Sequence, residues 1–587
     1  MTRIEDFFPN IFSYAIMVSR YIAPILAIWI LSRCSRSMLR ERYEPEVWAY
    51  LELPDGNREP LSQWECIVGR SASSDVVLKY PEVSRTHAAL IRSEKCEWTF
   101  FDIGSSGGSK VNGEAVTREG LEIRDGDELT FAGRSVWFIE LTEFERAQLG
   151  ATRTVPGRVL HPGGTFFLLT VFQTLLAMQH AIAAKPENVV PVTLAFGALI
   201  VAQWAYYLIM RAIRRMGFEV ETIAFFLSTL GFSVAASSVP GDMARQAIFL
   251  GAGLFSMIVL GSWQRDLNRV KRLRWHMGAF ALALLGVNLV LAQEMFGARN
   301  WITIAGFSFQ PSEFVKIAYI YTGAATLERL FIKRNLLLYI LFSAACVGAL
   351  ALMGDFGTAV VFFGAFLVIS YMRSGNLATV ILAVSGAGIA GMIMLIIRPH
   401  IAARFANWGH IWETPYAGGY QQTRALSAAA SGGLFGHGAG RGWLHNIVAA
   451  DTDMVFCLIS EELGLIVALT AVAAVILLAV FAVHGGSGAR SSFYVIAACA
   501  AVAMMLIQVC LGVLGSVDIL PFTGVTFPFV SRGGSSFISC WAMLSFIKAG
   551  DTRKNASFAT KLPSSRFPYN DADYDDEDYD DDYEDEE

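Results

Sequence analysis

Residues 453–483 read DMVFCLISEELGLIVALTAVAAVILLAVFAV, with Asp453, Glu461 and Glu462 as the only charges, all in the first third. A helix rises 1.5 Å per residue, so about 20 predominantly apolar residues cross the hydrocarbon of a bilayer. This run is long enough, and it belongs to a series. Comparable runs lie at 163–184, 191–210, 220–237, 246–263, 276–293, 312–332, 335–353, 356–372, 377–397, 492–514 and 535–549. They predict about twelve membrane helices between residues 160 and 549. Composition agrees: 54% of the 587 residues are hydrophobic, 17% are charged, and mean hydropathy is +0.45. An ordinary soluble domain carries roughly 25% charged residues. The fold class is a polytopic all-α membrane protein, and a secreted or purely soluble protein is excluded.

Ahead of the series, residues 11–31 are apolar apart from Arg20 and lead into Arg33, Arg36, Arg40 and Arg42. The positive charges follow the apolar run and no small-residue cleavage site appears, so an anchor helix is expected over 1–44 rather than a signal peptide. Further basic residues fall in alternate loops: Arg211, Arg214 and Arg215; Arg265 to Arg274; Arg329, Lys333 and Arg334; Arg373; Arg490; Lys548, Arg553 and Lys554. The positive-inside rule places those loops in the cytoplasm. Of the opposite loops one is long, 398–452, with Arg404, Trp408, Trp412 and much glycine; loops of that length usually carry function. The tail 551–587 is disordered by composition. It holds 13 Asp and Glu between Asp571 and Glu587, without which the chain has 46 basic against 39 acidic residues. Membrane topology accounts for that excess, and no nucleic-acid partner is expected. The eight cysteines form no CxxC or Cys/His cluster, so neither a disulfide framework nor a zinc site is expected.

Residues 45–145 differ in kind. Charges are frequent, and short alternating runs such as Trp98–Phe101 and Ser135–Ile139 are separated by turn residues, among them Asp125-Gly126. This predicts an all-β sandwich near the N-terminus, on the cytoplasmic side. Gly69-Arg70, Ser84-Arg85-Thr86-His87, Asp102-Ile103-Gly104-Ser105-Ser106 and Val111-Asn112-Gly113 fall in order on its loops. Two arginines and a serine hydroxyl converging from neighbouring loops make a site for a dianion such as phosphate. With these four motifs the segment resembles a forkhead-associated (FHA) domain, a reader of phosphothreonine peptides. The resemblance implies phosphopeptide contact by Arg70, Ser84, Arg85, Ser105 and Ser106, with Gly69, His87 and Asn112 structural. Where that family usually carries an asparagine that grips the peptide backbone, this chain has Gly107.

The membrane region carries its own strings. Gly297–Trp301 leads through Phe309-Gln310-Pro311-Ser312-Glu313 to Lys316, placing Glu313 and Lys316 on one helix face. Met353-Gly354-Asp355-Phe356-Gly357-Thr358 interrupts an apolar region, and such a break must face protein or water. The glycines of Gly432–Gly438 permit close backbone approach and offer backbone amides to an anion. Asp451-Thr452-Asp453 opens the next span, and Leu520–Gly524 with Pro528–Ser536 closes the region. In this order the strings resemble the SEDS family (FtsW/RodA/SpoVE-like proteins) over about 220–549. The domains expected are an anchor and basic linker (1–44), the FHA sandwich (45–145), a linker with two extra helices (146–218), a SEDS-like bundle (219–550) and the tail (551–587).

That resemblance implies a peptidoglycan glycosyltransferase that polymerises lipid II at the outer face of the bacterial cytoplasmic membrane, with a class B penicillin-binding transpeptidase as partner. The chemistry is attack of a sugar 4-hydroxyl on an anomeric carbon bearing undecaprenyl diphosphate. It needs one base, and cations or amides for the departing charge. The family's essential aspartate matches Asp453. Arg404, Lys316 and the Gly432–Gly438 loop are candidates to hold diphosphate, Glu313 to position Lys316, and Arg532 to make a further lipid-diphosphate contact. Relatives commonly have Pro-Glu-x-His where this chain reads Val448-Ala449-Ala450-Asp451, so Asp451 is a candidate to restore lost polarity. No cofactor is indicated, and a divalent ion at the diphosphate is left open. Two other readings fit a helical bundle with these appendages: a lipid II flippase, and a silent scaffold of the wall-synthesis machinery.

Overall fold

The computed structural model describes residues 9–560 apart from 42, 44, 73, 94–96, 118–119, 153, 158–159, 296–297, 305–306, 327–331, 375–376, 398 and 487. Residues 561–587 of the tail lie outside the described residues, whereas 551–560, expected to be disordered, are largely buried against the bundle. The chain opens with helix α1 (Pro9–Arg40). Two β-sheets follow. One runs in the order Arg58–Leu61, Ala49–Glu52, Arg134–Glu140, Glu128–Phe131, Ser109–Val111, Glu114–Ala115; the other runs Val76–Val77, Glu65–Gly69, Ala88–Arg92, Trp98–Asp102, Leu121–Ile123. Alternate side chains of both sheets meet in a core that includes Val68, Leu90, Trp98, Phe100, Phe131 and Phe138, which is how strands of period two build a sandwich.

The remaining helices are α2 (Glu143–Thr152), α3 (Pro162–Ala183), α4 (Pro186–Ala212), α5 (Glu219–Ser238), α6 (Met243–Trp263), α7 (Leu267–Leu291), α8 (Pro311–Thr326), α9 (Ile332–Leu352), α10 (Phe356–Ser374) and α11 (Leu377–Ile397). After them come α12 (Pro399–Asn407), α13 (Tyr420–Gly432), α14 (Ala450–Asp453), α15 (Val455–Glu462), α16 (Leu465–Gly486), α17 (Ser492–Ser516) and α18 (Gly534–Ala549). Among the described residues ten helices are long and apolar enough to cross a membrane, and Phe356–Met372 is a shorter apolar one. The expected spans at 312–332 and 535–549 are helices of 16 residues whose side chains are almost all buried. Enclosed by other helices, they need not match the lipid thickness themselves.

Two expectations are corrected. The run 453–483 is not one helix. It ends α14 at Asp453, forms α15, and begins again as α16 after Gly464, whose φ of +92° breaks the helix. The segment 398–452 is not an open glycine loop either: α12 and α13 lie within it, and Gly432 and Gly436 pack against the backbone of residues 460–464. A Cβ on Gly432 would lie 2.1 Å from the Ser460 carbonyl oxygen, and one on Gly436 2.2 Å from that of Glu462.

Helices α1 and α3 pack on each other and on the α5–α16 side of the bundle, joined by polar contacts. Gln173 donates to Gln203 Oε1 (2.7 Å) and Thr229 Oγ1 (3.1 Å), and His180 Nε2 shares a 2.7 Å hydrogen bond with Ser233. The sandwich rests on one end of the bundle. Glu65 pairs with Lys271, Glu46 with Arg490 (2.6 Å), and the Trp64 N–H donates to the Arg490 carbonyl (2.6 Å). At that same end Arg553 lies wholly buried, ion-paired with Glu41, Glu219 (3.0 Å) and Asp551 (2.8 Å). Lys548 beside it pairs with Glu221 (3.3 Å).

Candidate functional site

The opposite end of α18 opens on a cavity of about 340 Å³. It gathers Glu313 and Lys316 from the start of α8, Asp355 from the start of α10, Arg404 from α12, Asp451 and Asp453 from α14, and Arg532 from the turn before α18. All six membrane-region candidates line this one space although they are spread over more than 200 residues of chain.

The floor is a buried ion pair. Lys316 Nζ donates to both carboxylate oxygens of Glu313 (2.8 and 2.9 Å), Ser539 Oγ adds a 2.7 Å bond to Glu313 Oε2, and the two charged residues are 1% and 2% exposed. Lys316 is thus already neutralised, which weakens its expected part as a diphosphate holder. Arg404 and Arg532 are exposed at the mouth. Arg532 Nη1 donates to Asp451 Oδ2 (2.7 Å) and its backbone N–H to the Asp451 carbonyl (2.8 Å). These two residues are therefore partners. The Gly432–Gly438 amides do not line the cavity; the loop donates from His437 and Gly438 to the carbonyls of Glu461 and Glu462 (2.9 and 2.8 Å).

Asp453 sits in a one-turn helix that precedes the crossing segment Leu465–Gly486. Ala449, in the left-handed region at φ +61°, turns the chain into it. Burial pushes the Asp453 carboxyl up to about 6, helped by the Asp451 and Asp355 charges and opposed by a Thr452 hydrogen bond and the Arg404 guanidinium. A carboxylate so poised can accept a proton near neutral pH. Asp355, which motif order alone does not single out, comes from the polar break 353–358. It accepts from Thr358 N–H (3.1 Å) and Gln310 Nε2 (3.4 Å).

The sandwich presents a second surface. Ser84 Oγ shares a 3.1 Å hydrogen bond with Ser106 Oγ and accepts from the Ser106 N–H (3.1 Å), with Arg70 and Arg85 exposed beside it. Buried His87 accepts from Ser84 N–H at Nδ1 (3.1 Å), so Nε2 carries the proton shared with the Gly108 carbonyl (3.1 Å). Burial holds its pKa down, which keeps it neutral. Asn112 ties strands together through Asp127 (2.8 Å) and the Glu128 N–H (2.9 Å). The Ser105 hydroxyl donates to Asp102 (2.7 Å), which also accepts from Gly104, Ser105 and Ser109, so it braces the loop. Gly107 has no room for a side chain, because a Cβ there would lie 2.3 Å from that of Ala132. Gly107→Asn is expected to lower the stability of the sandwich by about 1–3 kcal/mol, read as an earlier unfolding transition; an unchanged transition would show that the neighbouring turn yields freely.

The sequence profile of the FtsW/RodA/SpoVE cell cycle proteins matches residues 208–555. The chain belongs to this family. The FHA domain profile matches residues 66–132 within the sandwich, so this member carries an FHA domain ahead of the family's helical bundle. Stage V sporulation protein E of Bacillus subtilis is 30% identical over 312 residues, covering 50% of this chain and 82% of its own. The peptidoglycan glycosyltransferase RodA of Mycobacterium tuberculosis is 28% identical over 320 residues, covering 51% and 67%. The crystal structure of the rod shape determining protein RodA of Thermus thermophilus aligns over 56% of this chain and 95% of its own, at 25% identity and a TM-score of 0.43. The helices α1, α3 and most of α4 precede the matched residues.

Proposed function

We propose that the protein is a peptidoglycan glycosyltransferase that joins lipid II units into glycan strands, with Asp453 as the base. The observation that carries this reading is the meeting of an elevated-pKa carboxylate with two exposed guanidiniums in one cavity, at the end of the bundle away from the basic loops. A sugar 4-hydroxyl oxygen attacks the anomeric carbon of the second lipid-linked saccharide. Its proton passes to the Asp453 carboxylate as the new C–O bond forms. The bond from that carbon to the diphosphate oxygen breaks, and the electron pair leaves on undecaprenyl diphosphate. Diphosphate departs without protonation, so no second carboxylic acid is required, unlike in glycoside hydrolysis. Arg404 and Arg532 meet the departing charge, Asp451 holds Arg532 in place, and the Glu313–Lys316 pair forms a rigid, neutral floor.

In the same proposal the cavity opens to the outside of the cell and the FHA domain and basic loops face the cytoplasm, since α18 carries cavity residues at one end and Lys548 at the other, about 20 Å away. The FHA domain binds a phosphothreonine-bearing protein through Arg70, Ser84, Arg85 and Ser106, and a class B penicillin-binding transpeptidase crosslinks the product.

The test is lipid II polymerisation by the purified full chain in liposomes, with and without the transpeptidase. Glycan strands are the expected product. Lipid II crossing the bilayer without polymer would instead favour a flippase, and neither activity a scaffold. Arg404→Ala and Arg532→Ala are each expected to lower kcat/KM about tenfold to a hundredfold, the worth of one charge-assisted contact. Melting should barely move, because the Asp451–Arg532 pair is partly exposed and such pairs add little stability. An Arg532→Ala enzyme with normal kinetics would remove Arg532 from the site.

A further inference from the structure

A second cavity, of about 380 Å³, adjoins the first between α5, α6 and the turn before α18. The two share Trp301, Thr452, Arg532 and Gly533, so they meet one residue from Asp453. The volume is that of a small-ligand site. Its polar lining is balanced in charge: Arg245 pairs with Asp242 (3.1 Å), as Arg532 does with Asp451. Gln246 is 4% exposed, and its Nε2 amide has no hydrogen-bond partner. A buried amide normally has one, and an unmatched donor facing a cavity marks the place of an absent acceptor. Phe249 and Trp301 supply aromatic surface, and Ser308 and Thr452 supply hydroxyls.

We propose that this second cavity binds the hydroxyl-bearing acceptor sugar, an N-acetylated amino sugar, while the Asp453 cavity takes the diphosphate-bearing sugar. The inference rests on the polymerase reading. A neutral lining with an amide donor and aromatic faces suits a sugar, whose hydroxyl and acetamide oxygens accept and whose C–H face packs on rings. Its own cation, Arg245, is spent on Asp242, and Arg532 on the shared wall serves the diphosphate of the first cavity. The shared wall at Thr452 and Arg532 then brings the acceptor's 4-hydroxyl toward Asp453, and Gln246 acts as a specificity residue that touches the acetamide or ring hydroxyls.

The experiment places p-benzoylphenylalanine at exposed Ser308 of the full chain in nanodiscs and irradiates it with radiolabelled lipid II. Labelling is expected to be displaced by free disaccharide pentapeptide and not by undecaprenyl diphosphate. It should fall at least tenfold in Gln246→Leu and in Gln246→Glu, the second of which keeps the side-chain volume and serves as the folding control through an unchanged Tm. Displacement by undecaprenyl diphosphate alone, or full labelling of both Gln246 variants, would overturn the assignment. The two readings fail separately. Polymer formation with no saccharide displacement sinks the second site only. Saccharide-displaceable labelling with no polymer sinks the polymerase and leaves a saccharide-binding cavity.

Discussion

Asp453→Asn is expected to lower polymerisation by about 10²–10⁴-fold, the usual worth of a positioned general base, while the protein melts at the same temperature or slightly higher. The two halves of that result have one cause. Burial and the Asp451 and Asp355 charges raise the Asp453 carboxyl from 3.8 to about 6, so the folded state disfavours its ionised form. A carboxyl raised in this way contributes stability at low pH and loses it as pH climbs from about 4 through 6. Asparagine removes the charge and with it that cost. Catalysis runs the other way, because only the carboxylate accepts a proton: wild-type polymerisation should fall as pH drops through about 6, and the residual rate of the Asn variant should lose that limb. A pH–rate profile with circular-dichroism melting checks both. An acid limb near 4, or an Asn variant with a tenth of normal activity, would take the base elsewhere.

Arg553→Met is expected to destabilise the protein by about 3–5 kcal/mol, the cost of removing one partner from a buried charge group. Arg553 is fully buried against Glu41 at the end of α1, Glu219 at the start of α5 and Asp551 beyond α18. Methionine keeps much of the volume but leaves those carboxylates without their common counter-charge. Adding Glu219→Gln should restore part of the loss by removing one of the stranded charges. Melting in detergent, followed with the two variants side by side, reads this directly. A Tm within a degree of wild type for Arg553→Met would mean that water reaches the group and screens it. The group also has a mechanical meaning. It locks the chain just before the FHA domain to the end of α18, whose other end carries Ser536 and adjoins Arg532 in the cavity.

Local pattern carried much of this protein. Period-two runs and turn dipeptides in 45–145 mark a sandwich because strands expose alternate faces, and unbroken apolar runs mark membrane helices because lipid offers the backbone no hydrogen-bond partner. Motif order placed Asp453, Arg404, Glu313, Lys316 and Arg532 as candidates, and each lines the cavity. Other features were beyond its reach. Gly464 is one apolar-neutral residue in a run that composition reads as continuous, and only its packing against residues 434–435 makes it a break. The glycines of Gly432–Gly438 suit either close backbone approach or amides for an anion, and only the backbone of residues 460–464 packed on Gly432 and Gly436 decides for the first. Ser105 and Ser106 are adjacent and alike in sequence, and only the position of Asp102 separates a brace from an exposed hydroxyl. The Arg553 group joins residues 41, 219, 551 and 553, and the Asp451–Arg532 pair spans 81 positions. By itself, then, the sequence determined which region is a bundle of apolar helices, which forms the sandwich, and which side chains have the chemistry. Tertiary structure alone decided which of those side chains share a cavity and which charges neutralise one another, because burial and ion pairing depend on distances through space that no local periodicity encodes.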